Sequence, residues 1–360
     1  MAKTKIEFVC RECGSSHHQW AGQCLDCKAW NTLEEVVISQ ATSSKPESLK
    51  DLPASKVQNL SEVKSQNKNR LSTGLTELDR TLGGGLVDGS VVLIGGDPGI
   101  GKSTLILQAL AAVNATNTTL YVSGEESAEQ VSERAIRLGI KEDILFIGET
   151  HLEKIIKLSK DVQPKVIVID SIQTMVTDVS TSAPGSVTQV RDCAAQLTQY
   201  AKQTNTILLM IGHVTKGGAL AGPRILEHMV DAVLYFEGDP GGRYRIIRAV
   251  KNRFGAVNEI SVFAMGEKGL QQVSNPSSIF LSNQENPSSG SMVMVTREAT
   301  RPLLVEIQAL VDQANSTPKR VSVGLDQNRL SLQLAILHKH SGIATFDQDV
   351  FVNVVGGIKV

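Results

Sequence analysis

The sequence predicts an α/β protein built around a mostly parallel sheet, with a small metal-binding module before that domain and a second α/β domain after it. Short β-rich runs alternate with amphipathic helical stretches from about residue 71 to residue 272. Such alternation implies parallel strands with helices on both faces of the sheet. The prediction also depends on a glycine-rich motif at residues 96–103 and on four cysteines within the first 27 residues.

The composition is typical of a soluble globular protein. The 360 residues carry a formal net charge of −1 at pH 7, which excludes a globally basic nucleic-acid binder but leaves room for a local basic groove. No apolar run approaches the roughly 18 residues that span a bilayer, and the N-terminus lacks the apolar region of a signal peptide. We therefore expect a cytoplasmic protein without a membrane partner.

Four of the five cysteines form two CxxC pairs, Cys10 with Cys13 and Cys24 with Cys27. In a reducing cytosol, clustered cysteines bind metal more often than they form disulfides. Each pair can place two thiolates about 2.3 Å from one Zn²⁺, so that two pairs complete a closed tetrahedron. The predicted role is structural, because the metal supplies folding free energy that so short a segment lacks. His17 and His18 are not needed as ligands, and the spacing leaves open whether the module contacts DNA or protein.

Four segments follow along the chain: a zinc finger at 1–35, a linker at 36–70, a nucleotide-binding core at 71–272 and a C-terminal domain at 273–360. The linker is rich in Ser, Lys, Gln and Asn, which indicates a mobile, mildly basic segment or a plain solvated spacer. Ser127 and Gln130 form a predicted capping box at a helix start. Within the core we predict strands at 91–94, 120–122, 144–147, 166–169, 207–211 and 232–236, helices at 104–113, 128–138 and 187–203, and an antiparallel pair at 244–251 and 259–265.

The C-terminal segment has its own α/β pattern after a break rich in Ser, Asn and Pro at 275–290. Its sequence ends directly after a predicted strand and a Gly356-Gly357 turn, so we expect the chain to stop within this domain. The predicted strands are 292–296, 303–310, 321–325 and 350–355, and the predicted helix is 330–340.

The glycine-rich motif has the spacing G-x-x-x-x-G-K-[ST] and lies between a predicted strand and a predicted helix. Backbone N–H groups of such a loop surround phosphates, and the helix N-terminus adds a positive dipole. We expect Lys102 to reach the β- and γ-phosphates of ATP and Ser103 to bind Mg²⁺. The motif consists of Gly96, Asp97, Pro98, Gly99, Ile100, Gly101, Lys102 and Ser103.

Carboxylates at two other strand ends complete the predicted site. Asp170 follows the apolar run 166–169 and is expected to hold Mg²⁺ through its water shell. Glu125 and Glu126 follow the run 120–122, and ligands of an open parallel sheet bind at the carboxyl ends of its strands. Glu125 is the first candidate for the base that orients the attacking water, and Glu126 is the second. Glu126 has an equally good explanation as a favourable charge at the next helix N-terminus.

Taken together, these motifs resemble the bacterial RadA (Sms) family, RecA-superfamily ATPases of DNA repair and recombination. The resemblance covers essentially the whole chain and implies a zinc finger, a RecA-like core and a C-terminal domain similar to the Lon protease domain. It also implies homo-hexamers that thread single-stranded and branched DNA and extend recombination branches alongside the RecA recombinase. The resemblance depends on the cysteine module, the glycine-rich motif, Leu71-Ser72-Thr73-Gly74, Gly83-Gly84-Gly85, residues 123–127 and Lys251-Asn252-Arg253-Phe254-Gly255.

The resemblance also assigns roles to individual residues. Glu125 is the catalytic glutamate, Asp170 is the Walker B residue, and His213 is the sensor of the γ-phosphate, although His213 alone could be an ordinary strand-end histidine. Lys251 and Arg253 reach the nucleotide of the neighbouring subunit, where a cation supplied in trans neutralises developing charge. A solvated strand face is the alternative explanation for this basic segment. Walker A contains Gly96, Gly101, Lys102, Ser103 and Thr104.

Two loops are candidates for DNA binding, at 178–186 and 214–223. Lys216 and Arg224 are expected to contact phosphates, and glycine N–H groups to add hydrogen bonds. Ordinary flexible connectors are the alternative for both loops.

The sequence departs from an active Lon-type protease. Asp-Gln-Asn-Arg-Leu stands at 326–330, where the serine motif is expected, and Ser331 lies outside that motif. We therefore predict a non-proteolytic domain. The leading hypothesis for the whole chain is an ATP-driven DNA motor. The first alternative is a regulatory ATPase that switches a protein partner without moving on DNA. The others are a peptidase, whose serine motif this sequence lacks, and a purely structural zinc protein.

Overall fold

A computed structural model describes residues 5–10, 16–26, 28–38, 70–180, 182–213, 223–238, 242–281 and 289–355. The chain divides into two compact units, Met1–Gln272 and Val273–Val360. No helix within these described ranges is long and apolar enough to cross a membrane.

The N-terminal residues form a three-stranded antiparallel sheet in the order β2-β1-β3. Its strands are β1 (Lys5–Cys10), β2 (Ser16–His17) and β3 (Leu33–Ile38). The buried side chains that pack together here are Cys10, Cys24 and Leu33. Two of these three are thiols, so the centre of this small sheet is built around sulfur.

A nine-stranded sheet forms the centre of the first unit, in the order β12-β11-β10-β9-β4-β8-β7-β5-β6. The strands from β9 to β6 in this order are parallel, and β10, β11 and β12 extend the sheet as antiparallel neighbours. The strands are β4 (Val91–Gly95), β5 (Thr119–Ser123), β6 (Leu145–Gly148), β7 (Val166–Asp170), β8 (Ile207–Ile211), β9 (Ala232–Glu237), β10 (Tyr244–Asn252), β11 (Ile260–Gly266) and β12 (Gly269–Gln272).

Helices cover both faces of this sheet, which confirms the predicted fold class. Because side chains alternate along a strand, Val92 and Ile94 pack into one buried cluster with helix α2 (Lys102–Asn114). Val91 and Leu93 pack into a second cluster with helices α4 (Leu152–Val162) and α5 (Val187–Thr204). The helices are α1 (Thr76–Thr81), α2 (Lys102–Asn114), α3 (Ala128–Leu138), α4 (Leu152–Val162), α5 (Val187–Thr204) and α6 (Pro223–Met229), and a 3₁₀ helix spans Ile172–Thr174.

Local sequence signals define several of these elements well. Helix α3 has the predicted bounds, and the capping box is present, with Ser127 accepting from the Gln130 backbone N–H and Gln130 accepting from the Ser127 N–H. Helix α2 begins at Lys102, two residues before the predicted start, because the last residues of the glycine-rich motif already belong to the helix. Strand β12 lies outside the predicted strands; only four residues long, it is stabilised by pairing with β11.

The second unit is a four-stranded sheet in the order β13-β14-β16-β15, in which only β15 and β16 pair in parallel. Helix α7 packs on one face, where Leu330 contacts a cluster that includes Val350 and Val352. A 3₁₀ helix at Pro276–Ile279 precedes the sheet. The elements are β13 (Ser291–Glu298), β14 (Arg301–Gln313), β15 (Arg320–Val323), α7 (Gln327–Ser341) and β16 (Gln348–Val354).

Candidate nucleotide site

The glycine-rich loop connects the end of β4 to the start of α2, in the context that the motif requires. Gly96 has φ +148° and Gly101 has φ +111°, a region that side-chain-bearing residues rarely adopt. A Cβ at Gly96 would lie 2.8 Å from the Phe236 Cβ, and one at Gly101 would lie 2.8 Å from the Met265 Cε. The loop therefore needs glycine at both positions for its backbone conformation, and at Gly96 also for its close packing against β9.

Lys102 is the central cation of the site. Its side chain is buried, and its Nζ donates to the carbonyl oxygens of Gly96 and Asp97, each at 2.8 Å, and lies 3.2 Å from His213 Nδ1. Burial lowers the pKa of Lys102 to about 8, although the carboxylates of Asp170, Asp97 and Glu125 oppose this shift. The hydrogen bonds of the ammonium go to two carbonyl oxygens and an imidazole, which an anionic ligand can replace.

Asp170 lies at the carboxyl end of β7 and is almost fully buried. One of its carboxylate oxygens, Oδ2, accepts a hydrogen bond from the Tyr121 hydroxyl, on the neighbouring strand β5. Burial, together with the negative charge and the hydrogen bond of Asp170, raises the pKa of Tyr121 well above its usual range. The Tyr121 hydroxyl therefore stays protonated and can donate to Asp170, and its ring stacks on Phe146 at 6.4 Å between centroids. Sequence reasoning did not single out this tyrosine.

Glu125 and Glu126, adjacent in sequence, point to different partners. Oε1 of Glu125 accepts from the Ser171 hydroxyl and lies 3.3 Å from His213 Nε2. The hydrogen bond with His213 is the main reason that the pKa of Glu125 is below its ordinary value. Glu126 instead forms an ion pair with Arg134 on α3. Of the two candidate bases, Glu125 is the one that contacts His213 and whose charge acts on Lys102.

His213 connects the cation and the carboxylate of the site. It follows β8, with Nδ1 toward Lys102 and Nε2 toward Glu125. The side chain of Gln173 donates to the His213 backbone carbonyl at 3.2 Å. Ser171 and Gln173 lie just after β7, and only the tertiary structure shows that they contact Glu125 and His213.

Lys251 and Arg253 lie at the edge of the sheet opposite their own glycine-rich loop. In the antiparallel pairing of β10 with β9, Lys251 is opposite Val233 and Asn252 is opposite Ala232. Ala232 pairs in turn with Val92, three residues before the end of β4, and three residues of strand span about 10 Å. Lys251 Nζ donates to the Glu227 carbonyl at 2.6 Å, and Arg253 Nη1 donates to Asp231 Oδ1 at 3.3 Å. Neither cation faces the loop of its own chain.

The backbone around this basic segment packs tightly against the Gly83–Gly85 turn. A Cβ at Gly255 would lie 2.7 Å from the Gly83 Cα. The Asn252 side chain donates to the Thr81 carbonyl at 3.1 Å and accepts from the Phe254 N–H at 2.8 Å. The glycines of the 83–85 turn and of the 251–255 segment thus allow these two stretches of backbone to approach each other closely.

In the N-terminal sheet, two of the predicted zinc ligands can be described. Cys10 and Cys24 are buried thiols, as a closed structural site requires. His17 Nε2 lies 3.5 Å from Cys24 Sγ and 3.8 Å from Asp26 Oδ2, so this histidine adjoins the predicted site although its spacing suggested no role. Cys13 and Cys27 lie outside the described residues, as do Lys216 and the Arg224 side chain.

Two family models match parts of this chain. Residues 8–35 match the rubredoxin metal binding domain, and residues 58–219 match the AAA domain. Over 362 residues the chain is 58% identical to the DNA repair protein RadA of Pseudomonas aeruginosa, covering 100% of this chain and 80% of that protein. The chain belongs to the RadA family.

Other RadA family members give the same result. The identity is 54% to the DNA repair protein RadA of Escherichia coli and 47% to that of Bacillus subtilis, again over 100% of this chain and 80% of each relative. Membership of the RadA family, with its AAA domain, makes this protein an ATP-hydrolysing enzyme of DNA repair with an ATP-binding domain and a zinc-binding domain. The family resemblance predicted from the sequence is thereby confirmed.

Proposed function

We propose that this protein is a DNA-dependent ATPase that assembles into a hexameric ring and drives branch migration and strand extension in recombinational repair together with RecA, in the cytoplasm. The observation that carries the proposal is the position of Lys251 and Arg253. Each faces away from its own glycine-rich loop, and the Arg253 side chain is 59% exposed. A cation placed there can assist hydrolysis only at the loop of a neighbouring subunit, which makes ATP turnover depend on ring assembly.

Within one subunit, the proposed nucleotide contacts come from one edge of the sheet. Backbone N–H groups of 96–101 and the start of α2 bind phosphate, together with Thr104. Lys102 exchanges its two carbonyl contacts for phosphate oxygens. Ser103 and Asp170 hold Mg²⁺, which, when bound, neutralises phosphate charge. The hydrogen bond from Tyr121 leaves the second oxygen of Asp170 available for this role.

Glu125 is the proposed group that orients the attacking water. Its lowered pKa keeps the carboxylate ionised at neutral pH, as a base requires. Its Oε1 accepts from the Ser171 hydroxyl and lies 3.3 Å from His213 Nε2. We propose that ATP draws Lys102 away from His213, so that His213 reports the γ-phosphate and Glu125 becomes available to water.

The proposed DNA contacts follow the nucleotide site in sequence. His213 is the last described residue before 214–222, which contains Lys216, and Arg224 belongs to α6, whose residue Glu227 binds Lys251. Phosphate contacts from such lysine and arginine side chains give sequence-independent, salt-sensitive binding to single-stranded and branched DNA. Movement of His213 would be transmitted directly into this loop.

The remaining segments have supporting roles in the proposal. Residues 1–38, which extend the predicted 1–35 finger to the end of β3, form a zinc-stabilised module; the remainder of the predicted 36–70 linker follows, then the motor at 71–272 and a non-proteolytic domain at 273–360. In that last domain the Ser331 hydroxyl donates to the Gln327 carbonyl of its own helix at 2.9 Å. Such a bond back to the preceding turn is ordinary helix chemistry and does not activate a nucleophile.

Two coupled assays test the proposal. ATP turnover is measured with and without single-stranded DNA, and extension of a three-strand branch is measured with and without RecA, with Lys102→Ala as the inactive control. We expect DNA to stimulate turnover and branch extension to require ATP hydrolysis and RecA. Turnover that ignores DNA, with no branch extension, would contradict the motor and favour an ATP-dependent switch.

A further inference from the structure

The Asp231 carboxylate, immediately before β9, is 4% exposed and connects three parts of the chain. Its Oδ2 accepts from the Val91 backbone N–H at 3.0 Å and from the Lys202 ammonium on α5. Its Oδ1 accepts from Arg253 Nη1 at 3.3 Å. The Asp231 backbone carbonyl also accepts from the Arg253 N–H at 3.0 Å. Arg253 is thus attached to Asp231 by both its backbone and its side chain.

This attachment reduces the freedom of an otherwise exposed arginine. A free arginine side chain samples many rotamers, and fixing them costs free energy when the side chain binds a ligand. Asp231 is itself fixed, because its other oxygen is engaged by Val91 and Lys202. The position of Arg253 is therefore set before any neighbouring subunit is met.

The same carboxylate also contacts the strand that leads into the nucleotide loop. Val91 is the first residue of β4, and Gly95 at its other end leads directly into Gly96. The Asp231 carboxylate thus contacts both Arg253 and β4, the strand that leads into the glycine-rich loop of the same subunit. No other described carboxylate contacts Arg253.

We infer that Asp231 is a positioning residue that presents Arg253 to the nucleotide of the adjacent subunit, and this inference rests on the proposed trans role of Arg253. Asp231 touches no reacting atom in this arrangement. The competing explanation is purely structural, with Asp231 serving only to hold β4, α5 and β9 together. The two explanations differ in which subunit loses ATP turnover when the charge of Asp231 is removed. Positioning predicts a loss at the nucleotide site of the neighbouring subunit, whereas a structural role predicts a loss within the variant subunit itself.

The test uses Asp231→Asn in the full chain. The amide retains an oxygen for the Val91 N–H but loses the charge that holds Arg253 and Lys202, both of which are exposed enough to be hydrated. We expect ATP turnover to fall on the order of 10- to 100-fold, as for other displacements of about 1 Å in a catalytic group. Binding of a non-hydrolysable ATP analogue should change less than about twofold.

Mixing locates the defect. Asp231→Asn subunits have an intact loop, and Lys102→Ala subunits have a correctly held Arg253, so mixed rings should regain turnover that neither variant has alone. Lys202→Met, which removes the other cation from Asp231 but leaves Arg253 in place, is the matched control and should keep most of its turnover. A double variant, Asp231→Asn with Lys102→Ala, should not restore turnover when it is mixed with Asp231→Asn subunits, because neither subunit then holds Arg253 correctly.

Arg253→Ala mixed with Lys102→Ala is run in parallel. If that pair recovers turnover and the Asp231→Asn pair does not, the positioning role is wrong while the trans role of Arg253 stands. If neither pair recovers in rings shown to be mixed, the trans role itself is wrong, and the inference is overturned with it. Should Asp231→Asn fail to fold, Asp231→Glu retains the charge but displaces it, and the same mixing outcomes apply.

Discussion

The Nδ1 atom of His213 lies 3.2 Å from the Nζ atom of Lys102, so the predicted sensor and the predicted phosphate-binding cation are direct neighbours. On its other side, His213 reaches Glu125. Any ligand that displaces Lys102 therefore alters the surroundings of Glu125 through a single imidazole. This chain of contacts makes several parts of the site testable one group at a time.

The first prediction concerns pH and Lys102. Burial lowers its pKa to about 8 in the free protein, whereas bound phosphates favour the charged form. Above pH 8, nucleotide binding must therefore take up a proton, and affinity should fall by up to about tenfold per pH unit. Calorimetry of an ATP analogue at pH 8.5, in two buffers with different ionisation enthalpies, measures this uptake. The same protocol at pH 7, where Lys102 is already mostly charged, is the control. Equal uptake at both pH values would contradict the assignment.

Glu125→Gln should separate binding from hydrolysis. The amide keeps the size of the side chain but cannot accept a proton, so turnover should fall about 10²- to 10⁴-fold while nucleotide affinity changes little. Phosphate release and analogue binding are the two measurements. Glu126→Gln is the matched control, because Glu126 pairs with Arg134 instead. A larger loss in Glu126→Gln would reverse the choice between the two carboxylates.

Tyr121→Phe should weaken the use of Mg²⁺. The substitution removes the hydroxyl that orients Asp170 but keeps the ring that stacks on Phe146. Loss of one such hydrogen bond costs about 1 kcal/mol, so the Mg²⁺ concentration for half-maximal turnover should rise roughly fivefold. Tyr200→Phe, at a buried tyrosine of the other core cluster, is the control. An unchanged Mg²⁺ requirement in Tyr121→Phe would show that Asp170 needs no such support.

Arg253→Ala should bind nucleotide almost normally and hydrolyse it poorly. Removal of an arginine that acts in trans typically costs on the order of 10³-fold or more in rate. Mixed with Lys102→Ala subunits, which retain Arg253, the variant should regain part of its turnover, since some interfaces then combine the two intact halves. Mixed rings that stay inactive at every ratio would favour a solvated or DNA-binding Arg253.

Cys24→Ser should release Zn²⁺ from the N-terminal module without affecting the nucleotide site. The only two tryptophans of the sequence, Trp20 and Trp30, belong to this module, so their fluorescence reports its structure directly. We expect a spectral change with loss of bound zinc and unaltered ATP-analogue affinity. Cys193→Ala is the control, because Cys193 is a buried thiol of α5, whose pKa burial raises to about 12. Stoichiometric zinc in Cys24→Ser would exclude Cys24 as a ligand.

The sequence by itself determined the parts whose chemistry is local. The glycine-rich loop needs glycines at fixed spacing because Gly96 and Gly101 adopt positive φ angles that side-chain-bearing residues rarely adopt, and the α3 capping box is complete within four residues. Alternation of strands and helices was likewise enough to predict a parallel sheet covered on both faces. These signals survive without tertiary structure because each is satisfied within one segment of the chain.

Only the tertiary structure decided which residues far apart in sequence form hydrogen bonds and ion pairs with one another. Tyr121 meets Asp170 across neighbouring strands, Ser171 meets Glu125, and Arg253 meets Asp231 at the far edge of the sheet. Sequence reasoning named the candidate carboxylates but not the groups that hold them, because a tyrosine or serine in or beside a β-rich run is indistinguishable from a packing residue. The register of β10 against β9, set by pairing across the sheet, likewise decided that Lys251 and Arg253 face away from their own loop.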